Sequence, residues 1–295
     1  MQYDIVLNLT QRYASAATGG RHVLCLAPAD LPGSQRTITT LIDISPRPDE
    51  RIVRTDFFGN TLTEIAFRQP HADIQIKVRA RVDRRSSPPG LDISPPFKRL
   101  AQDLAVLRTL DRASPHHFLG PSVRVAPEPL TKAYALAAIG APGSTLQAVK
   151  AIGLALNRDM RFDAKATTVD TPFQEAFAQR HGVCQDFTHI MIACLRGVGI
   201  PAGYVSGYLR TRPPPGQKRL AGADSMHAWV RAWCGADMGW VEFDPTNAVL
   251  VGDDHVVIGY GRDYSDVAPV RGVLRTAGRQ SSDHTVDVIA LDQDA

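Results

Sequence analysis

The chain has 295 residues, 44% hydrophobic and 21% charged, and its 33 lysines and arginines exceed its 30 aspartates and glutamates by a net charge of only +3. Basic residues scattered in this way leave no electrostatic footprint for nucleic acid, and no apolar run is long enough for a membrane-spanning helix. The length favours two domains, each able to bury a core.

The opening MQYDIVLNLTQRY lacks the basic region, apolar stretch and small-residue cleavage site of a secretory leader. The four cysteines, Cys25, Cys184, Cys194 and Cys234, form no CxxC pair, so reduced thiols in a cytoplasmic protein are expected. Residues 1 to 83 hold short β-branched or alternating runs, Ile5 to Leu9, His22 to Leu26, Thr37 to Ile44, Ile52 to Phe58, Leu62 to Phe67 and Ile74 to Val82. Separated by turn signals such as Pro32-Gly33 and Gly59-Asn60, they predict an antiparallel β-sandwich. Residues 84 to 97 read as a linker because Arg84 to Gly90 and Pro95-Pro96 are rich in serine, proline and glycine. From 98 to 295 the pattern changes to that of a second domain. It opens helical at Leu100, Leu104 and Leu107, then at Leu130 to Ala138 and Leu146 to Leu156.

Thr171-Pro172-Phe173-Gln174 has the residues of a capping box with proline at the first helical position, predicting a helix that ends near Arg180 and Gly182. A second helix starts near Cys184, since Phe187, Ile190, Met191, Cys194, Leu195 and Val198 recur at three- and four-residue steps until Gly197, Gly199 and Pro201 stop it. A thiol in the first turn of a buried helix meets unpaired N–H groups and the positive end of the helix dipole, which favour a thiolate. The same N–H groups suit an oxyanion formed when sulfur attacks a carbonyl. Cys194, in mid-stripe, has neither advantage and reads as core. For Cys184 itself the alternative is a small buried hydrophobe.

Partners follow downstream. His227 to Cys234 and Trp240 to Asp244 read as two strands joined by the short Gly235 to Gly239 connection, an antiparallel hairpin that brings His227 near the end of the second strand. A symmetric count about Asp237 sets Asn247 opposite His227, so Asp244 needs a bulge or a shifted loop. Other chemistries fit less well. His181, Cys184 and His189 match no common zinc spacing, and Gly203 to Gly207 lacks the serine spacing of a nucleophile elbow. No metal or cofactor is expected.

The blocks GVCQDFTHIMIACLRGVGIPAGYVSGYL, SMHAWVRAW and GWVEFDPTN resemble the bacterial transglutaminase-like cysteine enzymes, a branch of the papain-like fold. The likeness is close from Thr168 to Asp266, and the first 80 or so residues, with DFFGN, are similar to the β-rich N-terminal domain of that bacterial group. Gly203 stands where the family often has arginine and Met226 precedes the histidine, departures that touch substrate preference. The resemblance implies an α+β chain whose sandwich precedes a core of helix packed on antiparallel sheet. It implies Cys184 as nucleophile, His227 as general base and acid, and Asp244 as the group that orients His227. Gln185, Asp186, Trp229, Asn247, Arg262, Asp263 and Tyr264 are the candidate substrate-binding residues, the last three in a glycine-flexed loop expected to border the cleft. The expected partner is a peptide or protein amide. The acyl-thioester would pass to water, or to an amine in a crosslinking reaction, with a silent peptide-binding relative as the remaining alternative.

Overall fold

The computed structural model describes residues 1–85, 90–141, 143–212 and 220–291, so Ser86 to Pro89 of the expected linker lie outside the described residues. Five strands come first: β1 (Gln2–Leu24), β2 (Gln35–Ser45), β3 (Glu50–Thr55), β4 (Thr61–Phe67) and β5 (His71–Arg84). Helices α1 (Leu100–Val106), α2 (Pro129–Ile139) and α3 (Thr145–Asp159) follow, then the two-residue strand β6 (Arg161–Phe162), α4 (Phe173–Gln179), β7 (His181–Gly182) and α5 (Cys184–Gly197). The chain continues through β8 (Ala202–Leu209), β9 (Ser225–Trp233), β10 (Trp240–Asp244), β11 (Val249–Leu250), β12 (His255–Gly261), α6 (Tyr264–Val267), β13 (Val270–Arg275) and β14 (Gln280–Leu291).

The two runs expected at Ile5 and His22 are one strand. Polar residues between them suggest a turn, but β1 stays extended because each of its two ends is paired on both flanks. Residues 2 to 12 lie between β5 and β14, and residues 21 to 24 lie between β4 and β13. Register shifts between Arg12 and Ala17 and between Thr18 and Arg21 bend it, so a single antiparallel sheet curls over its own core. Alternation along β1 and β5 sends Tyr3, Ile5, Leu7, Ile76, Val78 and Val82 into that core. The segment assigned to the catalytic unit, 98 to 295, is shortened by this pairing. Its last two strands belong to the N-terminal sheet, and the buried Val286 and Val288 join the core of β1.

The second unit is a five-stranded antiparallel sheet in the order β11-β10-β9-β8-β12 with helices packed on it. Residues Gln185 to Leu195 of α5 are all buried, because the helix meets β8 and β9 on one side and α2, α3 and α4 on others. An apolar stripe alone understates this enclosure. The expected cap of α4 is also different: Pro172 is the N-cap, without a side-chain bond, and Thr171 Oγ1 accepts the Thr168 N–H instead.

β12 is an edge strand of this sheet, and two amide side chains of the N-terminal unit complete it. Gln35 donates to the Val257 carbonyl at 2.7 Å and accepts the Val257 N–H at 2.9 Å. Asn60, the last residue of DFFGN, does the same for Tyr260 at 2.7 and 2.8 Å. These pairs satisfy buried backbone groups that would otherwise be orphaned. Tyr208, Val256 and Ile258 of the second sheet continue the apolar core of the first, so the two units share one interior.

At α3, a Cβ on Gly153 would lie 2.2 Å from the Phe243 ring. Glycine inside a helix costs about 1 kcal/mol relative to alanine, and here it admits the strand that ends in Asp244. Gly153→Ala should therefore lower stability by about 1 to 3 kcal/mol through overpacking, in spite of its helix preference. Urea unfolding measures it, and a raised midpoint would show that Phe243 yields without cost.

Candidate active site

Cys184 is the first residue of α5, with Val183 as N-cap. Asp186 Oδ2 accepts the Val183 N–H at 2.8 Å and the Thr167 hydroxyl at 2.6 Å, which is half of a capping box, since valine offers no acceptor in return. A Cβ on Gly182 would meet the Asp186 carboxyl at 2.6 Å, so the glycine before the helix lets that carboxyl fold back. The Asp186 N–H already bonds the Val183 carbonyl at 2.9 Å, whereas the N–H groups of Cys184 and Gln185 precede the first bond of the helix. Cys184 is partly exposed, whereas Cys25, Cys194 and Cys234 are buried. Burial pushes each of those three thiols up to about 12.

His227 and Asp244 meet without a bulge. Trp240 pairs with Trp233 and Phe243 with Val230. Continuing that register places Asp244 across from Trp229, two residues from His227 on the same face, and diagonal neighbours of this kind lie within side-chain reach. His227 Nε2 bonds Asp244 Oδ2 at 2.8 Å, and the Cys184 side chain lies near enough to act on the imidazole electrostatically. With Nε2 committed to Asp244, Nδ1 is the ring nitrogen left for sulfur. Burial alone would lower the His227 pKa. The field of Cys184 and the bond to Asp244 outweigh it and raise the imidazole to about 10.

Asp244 is fully buried. Its Oδ2 accepts from Asn247 Nδ2 at 2.6 Å and His255 Nε2 at 3.2 Å as well as from His227. Its Oδ1 accepts the backbone N–H groups of Thr246 at 2.9 Å and Asn247 at 3.2 Å. Burial would raise this carboxyl, but the histidine and asparagine donors hold it well below the usual carboxylate range. Asn157 of α3 fixes the turn that follows, donating to the carbonyls of Thr246 at 2.8 Å and Pro245 at 3.3 Å.

The other expected residues divide by what they touch. Asn247 supports Asp244 and is not the partner of His227. Gln185 is buried and donates to the Val169 carbonyl at 3.1 Å. Trp229 is fully buried, with its indole N–H on Glu242 at 2.7 Å, so it forms the wall beneath the site instead of a surface for substrate. Asp263 is buried too and caps α6 by accepting the Ser265 N–H at 2.8 Å, while also holding the Arg124 N–H at 2.7 Å. Arg262 pairs with Asp266 at 2.9 Å and lines a separate hollow of about 450 Å³ with Phe57, Phe58, His117 and Arg271. Tyr264 comes nearer the chemistry. Its N–H donates to His189 on α5 at 3.2 Å, and its ring lies 6.2 Å from that of Tyr204, a phenol in the field of Cys184.

Two residues near the triad escaped sequence reasoning, Tyr204 and His255. Tyr204 lies within the quoted GYVSGY word, but nothing in its spacing marks it. His255 opens an apolar strand and carries no local signal at all. The donor atoms of His227, Asp244 and His255 lie within 4.8 Å of one another, a spacing that suits a divalent cation. Both Nε2 atoms, however, bond the carboxylate as donors. Binding a metal there would move the His255 proton to Nδ1, which is buried without a partner. The donor set fits a hydrogen-bonded carboxylate better than a metal. A hollow of about 560 Å³ opens at the other end of α5, near Arg196, Val125 and Pro129, and no triad residue lines it.

Comparison with known proteins identifies the family and the fold. Residues 3–83 match the family model of the bacterial transglutaminase-like N-terminal region, and residues 132–245 that of the transglutaminase-like superfamily. An uncharacterized Mycobacterium tuberculosis protein is 33% identical, the match covering 100% of this chain and 94% of the relative. A second, from Mycobacterium leprae, is 30% identical over 95% of each. A solved Cytophaga hutchinsonii protein, described as a candidate cysteine protease, superposes with a TM-score of 0.76 at 22% identity, covering 100% of this chain and 92% of that one. No helix among the described residues is long and apolar enough to cross a membrane. A thiol at a helix start, a histidine one strand away and two matching family models in the right order place this chain in the transglutaminase-like superfamily, with the bacterial N-terminal region ahead of its core.

Proposed function

We propose that the protein is a cysteine-dependent acyl-transfer enzyme that hydrolyses amide bonds of peptides or proteins through Cys184, His227 and Asp244. The observation that carries this reading is the placement of His227, bonded at 2.8 Å to a buried carboxylate and within the electrostatic reach of Cys184. His227 rests as an imidazolium that has already taken the thiol proton, forming an ion pair with the Cys184 sulfur, and that sulfur attacks the amide carbonyl. The N–H groups at the start of α5 receive the oxyanion. Collapse of the tetrahedral intermediate breaks the C–N bond while the imidazolium protonates the departing amine, leaving an acyl-thioester. Water then attacks that thioester, with His227 again as base.

Hydrolysis is preferred to crosslinking because an amine acceptor needs a second cleft that shields the thioester from water. The hollows of about 560, 390, 330 and 450 Å³ are all lined by residues other than Cys184, so none of these four supplies that cleft. The test is to form the acyl-enzyme with a peptide library and follow its decay with and without a primary amine. Decay that ignores the amine is the expected result, and predominant aminolysis by lysine peptides at modest concentration would reassign the reaction as amine transfer.

Cys184→Ala should abolish amide turnover with the fold intact; unchanged turnover in the folded variant would remove the nucleophile from this reading. Asp244→Asn is expected to cost about 10⁴ in kcat by misorienting His227. Asn247→Ala, which removes only one donor to the same carboxylate, should cost on the order of tenfold. The reverse ranking would make Asn247 the orienting group. Because the folded imidazole is raised to about 10, it stays protonated through neutrality and loses its proton only as pH climbs through that value. Turnover should therefore hold through the neutral range and fall near pH 10, and a fall near histidine's ordinary value would contradict the ion pair.

A further inference from the structure

His255 and His227 reach the same atom. Their Nε2 nitrogens lie 3.2 and 2.8 Å from Asp244 Oδ2, from strands β12 and β9, and their ring centroids are 6.2 Å apart. His255 is buried, and the edge of the Trp229 ring packs on it at 5.1 Å. We infer that His255 is a positioning residue that, as an Nε2–H donor, disperses the charge on Asp244 and so sets how firmly that carboxylate holds the proton on His227. The inference rests on the proposed thiol–imidazole chemistry and adds a group to it.

The tautomer follows from the surroundings. A carboxylate oxygen accepts, so Nε2 of His255 carries the hydrogen, and Nδ1 is buried with no partner. A second proton on Nδ1 would be an unpaired charged donor in an apolar wall. It would also stand beside an imidazolium on His227 whenever the ion pair forms. The other charged groups nearby are already engaged. Glu242 of β10 holds the Trp229 indole and the Tyr260 hydroxyl. Asp254, the preceding residue, bonds Tyr3, Arg210 and Arg212. Cys184 of α5 acts on Asp244 through His227.

One hydrogen bond withdrawn from Oδ2 concentrates negative charge on the oxygen that faces His227. The imidazolium then binds its proton more firmly and surrenders it to a leaving amine more slowly. Catalysis needs the proton both held and released, and a second donor on the same carboxylate oxygen moderates the hold.

The experiment follows the pH profile of Cys184 alkylation by iodoacetamide, together with kcat and KM on a peptide amide. His255→Leu should move the upper limb of the profile upward by about half a unit or more and lower kcat with KM unchanged. His255→Gln, whose amide N–H can replace the imidazole donor, should restore both. In the wild-type protein, ring-nitrogen NMR should show His255 singly protonated on Nε2 at neutral pH, a result independent of either variant's folding. Doubly protonated His255, or a limb that His255→Leu leaves in place, overturns the inference alone. A wild-type protein whose Cys184 alkylates no faster than a free thiol and shows no second limb overturns the functional reading beneath it.

Discussion

The arrangement of the site depends on one buried carboxylate. Moving the charge of Asp244 out of water costs several kcal/mol unless donors replace the lost hydration. Five donors do so, from β9, β12 and the Pro245 turn, and α3 clamps that turn with Asn157. Each donor stands where it does because another element holds it. Gly153 lets Phe243 approach α3, and the ladder between β9 and β10 ends just before Asp244. Satisfying this one group therefore fixes the ends of three strands relative to a helix. Once they are fixed, His227 is held by Nε2 and keeps Nδ1 as its uncommitted nitrogen.

The start of α5 at Cys184, its end at Gly197 and the hairpin of His227 and Asp244 were legible in the sequence. Apolar spacing, glycine stops and a short connection are local signals, and local signals survive folding. Register beyond the hairpin was less so. The choice between Asp244 and Asn247 turns on a diagonal contact that a residue count cannot see, and both residues end at the site with unequal parts. His255 was invisible for a different reason: it is local to nothing it touches, since two strands separate β12 from β10 in the sheet. Strand β1 shows pairing overriding composition. Polar residues that read as a turn stay extended when each end of the strand is paired on both flanks. At Thr171 the capping residues were present, but its hydroxyl was taken by Thr168.

The N-terminal unit contributes to the site at a distance. Gln35 and Asn60 pair with the outer edge of β12, the strand that opens with His255 and leads into the Arg262 to Tyr264 loop. An edge strand left bare invites pairing with other chains. Side-chain amides close it without adding a strand, and they place the DFFGN turn against the same segment that carries Tyr264 toward Tyr204. The resemblance noted in DFFGN is thus explained by geometry: its asparagine stands in for a backbone partner.

The pairing of β1 with β14 also bears on how the chain is made. Gln2 through Tyr13 is synthesised well before its partner, Gln280 through Leu291. At ~5–20 residues per second of synthesis, one flank of β1 stays open for roughly 15 to 50 seconds. Until then the curled sheet lacks a wall, and the shared interior beneath Tyr208 and Val256 is incomplete. A polypeptide that stopped before β14 would carry Cys184, His227 and Asp244 but not the strand that seals the sheet against which their own sheet rests. The long reach of this one pairing thus makes closure of the common core a late event in the assembly of both units.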